Sequence, residues 1–129
     1  MSVIKTGVFP QEISFSETRP YMFVTCMEDP CNETVCKGSV YVIDYNTLGV
    51  IKVLQDGLYQ PHGIAVDDKN NLVMVVSRNA NPNGPAPHHT SVCGERNGFV
   101  KIIDLNTLTF LPGYRTEVSA DPYFVSVRN

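Results

Sequence analysis

The feature that most constrains the fold is an internal repeat. Pro10, Ile13 and Cys26 in GVFPQEISFSETRPYMFVTC (7–26) match Pro61, Ile64 and Ser77 at an offset of 51 positions. The segment GSVYVIDYNTLGV (38–50) likewise matches GFVKIIDLNTLTF (98–110) at an offset of 60. A third copy begins with ADPYFVSV, where Pro122 lies 61 positions after Pro61. Self-similarity at such a period predicts that each copy forms the same structural unit.

Each copy reads as four short strands. Residues 13–15 and 64–66 alternate large apolar side chains with small ones, as half-buried strands do. The runs YMFVTC and LVMVVS are almost wholly apolar, which suits strands buried on both faces. Asp and Asn in the turns DYNTLG and DLNTLT can bond their own backbone, which explains their recurrence without catalysis. No segment shows sustained helical periodicity, so we expect an all-β fold.

Four antiparallel strands per repeat, at a period of 51 to 61 residues, favour the blades of a β-propeller. A β-sandwich is the alternative, but it gives no reason for the same proline-led opening to recur three times. We therefore expect one β-propeller segment over 1–129. Its first blade spans 7–57, its second spans 58–118, and 119–129 form the first strand of a further blade.

Two blades and partial strands make an incomplete propeller, because closure requires at least four blades. The expected partners therefore include the remaining blades, supplied by a longer chain or by other copies. The longer chain is favoured, because the two partial strands do not sum to a whole blade. In that case the sequence is the C-terminal part of the propeller.

The segments QPHGIAVDDKNNLVMVVSR and GFVKIIDLNTL resemble the YVTN-type (YncE-like) β-propeller repeat. That repeat has a Pro-His-Gly entry, an Asp-containing turn, a strand ending in Ile-Asp and a Thr-containing turn. Gln11 and Glu12 replace His-Gly in the first copy, and Tyr123 and Phe124 replace it in the third. The resemblance implies an exported bacterial propeller of about seven blades. Many such proteins have no known activity, some related propellers are called lactonase-like, and others bind metals, cofactors or protein partners.

Composition excludes several classes of function. The chain is 43% hydrophobic and 18% charged, with a formal net charge of −3. This predicts a folded domain without the basic face that nucleic-acid binding requires. No run of 18 apolar residues occurs, so we expect no membrane span. The N-terminal segment lacks the features of a signal peptide, which leaves a mature or truncated chain or a cytoplasmic one. Four cysteines favour an oxidising compartment, periplasmic or extracellular.

Strand order places the histidines and cysteines at one end of the blades. The loop between the second and third strands shares an end with the entry to the first strand. The candidate ligand-binding residues at this rim are His62, His88, His89, Arg78 and Arg96. The disulfide candidates are Cys26, Cys31, Cys36 and Cys93, and three pairing schemes are open.

Two functions fit this rim. The leading interpretation is a non-enzymatic, exported binding or scaffolding module that requires no cofactor and takes a protein or a small molecule. The alternative is a metal-assisted enzyme, a lactonase-like hydrolase or an oxidoreductase, with zinc, copper or calcium held by His62, His88, His89 and Cys93. Against the alternative, His88 and His89 can simply order a proline-rich loop while Cys93 pairs with another cysteine. No catalytic residue is assigned, because no nucleophile elbow or phosphate-binding loop occurs.

Overall fold

The computed structural model describes residues 2–31, 36–78, 97–120 and 122–128. These residues form two four-stranded antiparallel sheets and contain no helix. The first sheet consists, in order, of β1 (Pro10–Phe15), β2 (Tyr21–Pro30), β3 (Lys37–Asp44) and β4 (Gly49–Leu54). The second sheet consists of β5 (Pro61–Asp67), β6 (Leu72–Ser77), β7 (Asn97–Asp104) and β8 (Thr109–Ala120). The described residues contain no apolar helix long enough to cross a bilayer.

Each sheet is a meander of consecutive strands, so the two repeats are not interleaved. The all-β prediction is confirmed, and so is the prediction of four antiparallel strands in each copy. That these sheets are propeller blades stays a prediction.

The recurring turns between the third and fourth strands have the same geometry in both sheets. Asp44 Oδ1 accepts hydrogen bonds from the backbone N–H groups of Asn46 at 2.8 Å and Thr47 at 3.0 Å. Asp104 Oδ1 accepts the equivalent two bonds at 2.7 and 3.0 Å. Local bonding of this kind accounts for the repeated Asp-x-Asn-Thr sequence, as the sequence predicts.

The core lies between the two sheets. Side chains from one face of the first sheet pack against side chains from the facing side of the second sheet. The central cluster consists of Phe23, Val40, Val42, Leu54 and Leu58 on one side and Ile64, Val73, Val75, Ile103 and Leu105 on the other. Nearly all of these side chains are fully buried. β5 makes most of the contacts across this interface, against β1 and β2.

A glycine in each sheet makes room for the proline that opens the next copy. A Cβ on Gly38 would lie 2.4 Å from Pro61 Cδ, and one on Gly98 would lie 2.2 Å from Pro122 Cδ. These are matched positions of the repeat, so residues 122–125 enter across the second sheet as β5 enters across the first. Residues 122–128 belong to neither sheet.

At the end of the sheets that carries the short turns, polar contacts join the two copies. The carboxylate of Asp68 accepts hydrogen bonds from Ser16 Oγ at 2.5 Å, Glu17 N at 2.7 Å and Thr18 Oγ1 at 2.7 Å. Arg19 Nη2 donates to Asn71 Oδ1 at 2.9 Å and also to Asn106 Oδ1. The first turn of the first sheet is therefore hydrogen-bonded to two turns of the second sheet.

Candidate functional site

The opposite end of the sheets, here called the loop rim, carries the candidate site. It is formed by the entries to β1 and β5, the end of β2, the start of β3 and the residues after β6. Among the described residues it includes Val8, Phe9, Glu28, Lys37, Gln60, His62, Arg78 and Tyr123. The end that carries the Asp-rich turns is here called the turn rim.

A chain of polar side chains crosses the loop rim from one sheet to the other. Lys37 Nζ lies 2.5 Å from Glu28 Oε2, and Gln60 Nε2 donates to Glu28 Oε1 at 2.8 Å. Arg78 Nη1 then lies 3.4 Å from Gln60 Oε1. The chain therefore carries two cations and one carboxylate. Gln60 and Arg78 are buried, while the side chain of Lys37 is 33% exposed, so Lys37 is the member of the chain that meets solvent best.

Backbone contacts hold this polar chain in place. Lys37 N donates to Leu58 O at 2.9 Å, and Gln60 N donates to Lys37 O at 2.6 Å. Gln60 has a φ of 46°, in the left-handed region that non-glycine residues rarely adopt. Burial raises the pKa of Tyr59, which lies beside the chain. The rim is thus built on fixed strand ends, which is how ligand-binding loops are commonly carried.

His62 lies at the inner part of the loop rim and is 4% exposed. Its ring packs against the ring of Tyr123, with 3.6 Å between the centroids. Its backbone carbonyl accepts a hydrogen bond from Thr25 Oγ1 at 2.6 Å. The imidazole of His62, on β5, therefore lies beneath Tyr123 of the third copy. Tyr123 itself is half exposed.

A second polar group at this end is occupied with structural bonds. Asp29 is buried, and its carboxylate accepts hydrogen bonds from Ser39 Oγ at 2.6 Å and from Val8 N. A Cβ on Gly7 would overlap this carboxylate, so the glycine allows the close approach of the two residues. Asp29 therefore fixes the segment that leads into β1.

Of the three candidate cysteines among the described residues, two are paired. A disulfide joins Cys31 to Cys36 across the loop between β2 and β3. Cys26 is a free thiol, buried on β2. Burial raises the pKa of this thiol, and the Asp29 carboxylate raises it further. A disulfide of this kind persists in oxidising compartments.

The remaining candidates lie outside the described residues: His88, His89, Cys93 and Arg96. Of the predicted ligand-binding set, the structure thus places His62 and Arg78, both at the loop rim. Over 2–31, 36–78, 97–120 and 122–128, no three His, Cys, Asp or Glu side chains converge as metal ligands do.

The sequence does not identify Lys37, Glu28 and Gln60 as one connected group. Glu28 is recognisable as an acidic residue flanking the loop, but its partners come from β3 and from the entry to β5. Glu12 is likewise not identified. Burial raises the pKa of its carboxyl group, and a hydrogen bond from the Ile64 backbone opposes that shift.

No protein-family model matches the chain, and no curated protein is significantly similar to it.

Proposed function

We propose that the chain is part of an exported β-propeller of the YVTN type, acting as a non-enzymatic binding module through its loop rim. The polar chain that runs from Lys37 through Glu28 and Gln60 to Arg78 carries this proposal. It joins side chains of both sheets at one end, and it is held by backbone bonds. A surface with this construction is suited to recognition, because its geometry is set before a ligand arrives.

The charges of the two rims favour a ligand that carries a carboxylate. On the turn rim, Asp44 and Asp104 bond their own turns and Asp68 bonds the neighbouring sheet. On the loop rim, the polar chain has two cations for one carboxylate, and the carboxylate of Asp29 at the same end is buried and bonded to Ser39 Oγ and Val8 N. Lys37 is exposed enough to meet an incoming anion, and Tyr123 offers a half-exposed aromatic face on the same rim. Aromatic and cationic side chains together are typical of recognition surfaces.

No observation on the described residues favours the metal-assisted enzyme over the binding module. The proposal that the protein is exported rests on the Cys31–Cys36 disulfide and on the resemblance of its repeat to the YVTN-type repeat.

Succinate is a suitable probe, with binding followed by amide chemical shifts in the ¹⁵N-labelled chain. We expect shifts around Lys37, Gln60 and Tyr123, and at least about a fivefold weaker apparent Kd in Lys37→Gln, which corresponds to about 1 kcal/mol. The matched control is Lys69→Gln, an exposed lysine in the turn between β5 and β6 on the turn rim. Equal effects of the two substitutions, or shifts concentrated on the turn rim, would contradict the proposal.

A further inference from the structure

A cavity of about 250 Å³ opens at the β8 edge of the second sheet, and none of its described lining residues belongs to the polar chain of the loop rim. It lies between Asp56, in the segment that leads from β4 to β5, and residues 110–115 of β8. Lys101 of β7 also lines it. Its volume is just below the about 300 Å³ at which pockets for drug-sized ligands begin, so it suits a small organic molecule. We call this space the edge cavity.

A wide bulge in β8 forms one wall of the edge cavity. Ile103 pairs with Phe110 and Lys101 pairs with Arg115, so five steps along β8 face two steps along β7, a surplus of three residues. Gly113, within the bulge, has a φ of 78°. Bulges redirect side chains and are frequent beside functional sites.

The first sheet forms without this extra length. Lys101 lies 60 positions after Tyr41, and Tyr41 pairs with Val53 as Lys101 pairs with Arg115. The strand between Val50 and Val53 contains a surplus of only one residue. The same four-stranded sheet is therefore built with a shorter bulge and without either cation. Both are additions of the second copy.

The two cations face each other across the strands at the edge cavity. Lys101 and Arg115 are directly opposite in the register, so they lie on the same face of the sheet. Lys101 is 8% exposed, and its Nζ donates to the Asp56 carbonyl and lies 4.0 Å from the centre of the Phe110 ring. Arg115 Cζ lies 3.5 Å from the centre of the Phe99 ring. Like charges directly opposite destabilise a strand pair, so an anion bound beside them removes a repulsion.

Among the described lining residues, Asp56 supplies the only carboxylate. Its Oδ2 lies 3.9 Å from Lys101 Nζ, and its side chain is 75% exposed. Glu117, two positions beyond Arg115 on β8, pairs with Phe99 and does not line the cavity. Over the described residues, Arg115 has no ion-pair partner. Two cations and one carboxylate give the described lining one net positive charge.

We propose that the edge cavity binds a small organic carboxylate with a single negative charge and an apolar body. Arg115 suits this group, because a planar guanidinium donates two parallel hydrogen bonds to a carboxylate. Phe110, Pro112 and Tyr114 supply apolar surface for the body of the ligand. Stacking on Phe99 orients the guanidinium before the ligand arrives, which lowers the ordering cost of binding.

Benzoate is the probe, and benzamide is its uncharged analogue of the same shape, each titrated into the ¹⁵N-labelled chain at constant ionic strength. With benzoate we expect amide shifts at Asp56, Gly57 and 110–115, and benzamide should bind at least about tenfold more weakly. Arg115→Gln should weaken benzoate binding at least about fivefold, the size of one partly exposed charged contact. Arg128→Gln removes an exposed arginine from the C-terminal segment and is the matched control, with no change expected.

Deletion of Pro112 and Gly113 provides a second variant, because it restores the surplus of one residue found in the first sheet. This variant should remain folded by circular dichroism and lose benzoate binding. If it binds benzoate as the natural chain does, the proposal is overturned. If the deletion prevents folding, the comparison of Arg115→Gln with Arg128→Gln decides.

Two further results would overturn the proposal: equal binding of benzamide and benzoate, or equal effects of the two arginine substitutions. Benzoate shifts confined to Lys37, Gln60 and Tyr123 would also overturn it, although they would support binding at the loop rim. Conversely, the loss of succinate binding in Lys37→Gln leaves the edge cavity untouched, because Lys37 does not line it. The two sites therefore stand or fall separately.

Discussion

Replacing Asp68 with alanine is expected to lower the free energy of unfolding by about 2–3 kcal/mol. The carboxylate accepts three hydrogen bonds from residues 16–18 of the other sheet, at 2.5 to 2.7 Å. A hydrogen bond to a charged group contributes about 1.5–3 kcal/mol. The site is partly exposed, so solvent screening and rehydration of the donors reduce the total well below the sum of three such bonds.

A double-mutant cycle shows whether this energy belongs to the contact between the sheets. Ser16→Ala and Asp68→Ala should have a coupling energy of at least about 1 kcal/mol, measured by urea denaturation. Asp44→Ala is the control, since the carboxylate of Asp44 bonds Asn46 and Thr47 in its own turn. That substitution should lower the free energy of unfolding by about 1 kcal/mol. Its effect should be additive with that of Ser16→Ala.

The same contact predicts a pH dependence. Burial raises the pKa of Asp68, but the hydrogen bonds from Ser16, Glu17 and Thr18 together outweigh it and hold the pKa below its ordinary value of 3.8. A carboxyl group with a depressed pKa stabilises the fold above its unfolded pKa and loses that contribution as the pH falls through its folded pKa. The stability difference between the natural chain and Asp68→Asn should therefore be constant near neutral pH and shrink below about pH 4. A difference that persists to the lowest pH, or a coupling energy of zero, would refute the assignment.

Two further substitutions test the close approaches described above. Gly38→Ala should destabilise the fold by at least about 3 kcal/mol, because its φ is +105° and the added Cβ would meet Pro61 Cδ and the carbonyl of Cys26. Gly49→Ala, where the nearest atom would lie at an ordinary 3.4 Å, should cost under about 1 kcal/mol. Thermal denaturation of the two variants measures both losses of stability. Reduction of the Cys31–Cys36 disulfide should cost about 2 kcal/mol by the loop-entropy estimate, and the Cys31→Ser/Cys36→Ser variant should reproduce the loss without reductant. A double-serine variant as stable as the oxidised chain would contradict that expectation.

The repeat predicts those parts of the fold that depend on local sequence. Alternation and apolar runs locate the strands, because the side-chain period of a strand is fixed by its backbone. The turns at Asp44 and Asp104 follow for the same reason, since each carboxylate bonds backbone groups two and three positions away. A repeated sequence with local bonding gives a repeated structure.

Contacts between copies could not be predicted in this way. Arg19 meets Asn71 and Asn106, which lie 52 and 87 positions further along the chain. The link from Glu28 to Gln60 joins residues 32 positions apart, in segments with no shared pattern. A clearer signal exists for the glycine–proline contacts. Gly38 and Gly98 occupy matched positions of the repeat, and so do Pro61 and Pro122. In the structure Gly38 lies against Pro61, and Gly98 lies against Pro122.

The contrast between Ile13 and Ile64 shows why the burial of a side chain in this protein cannot be predicted from its sequence alone. The two isoleucines share a residue type, a repeat position and a strand environment, yet one is 53% exposed and the other 2%. The difference comes entirely from what lies beyond the sheet, because each repeat buries its apolar face against a neighbour rather than against itself. The first sheet therefore leaves Ile13 and Phe15 exposed, although the matched Ile64 of the second sheet is buried.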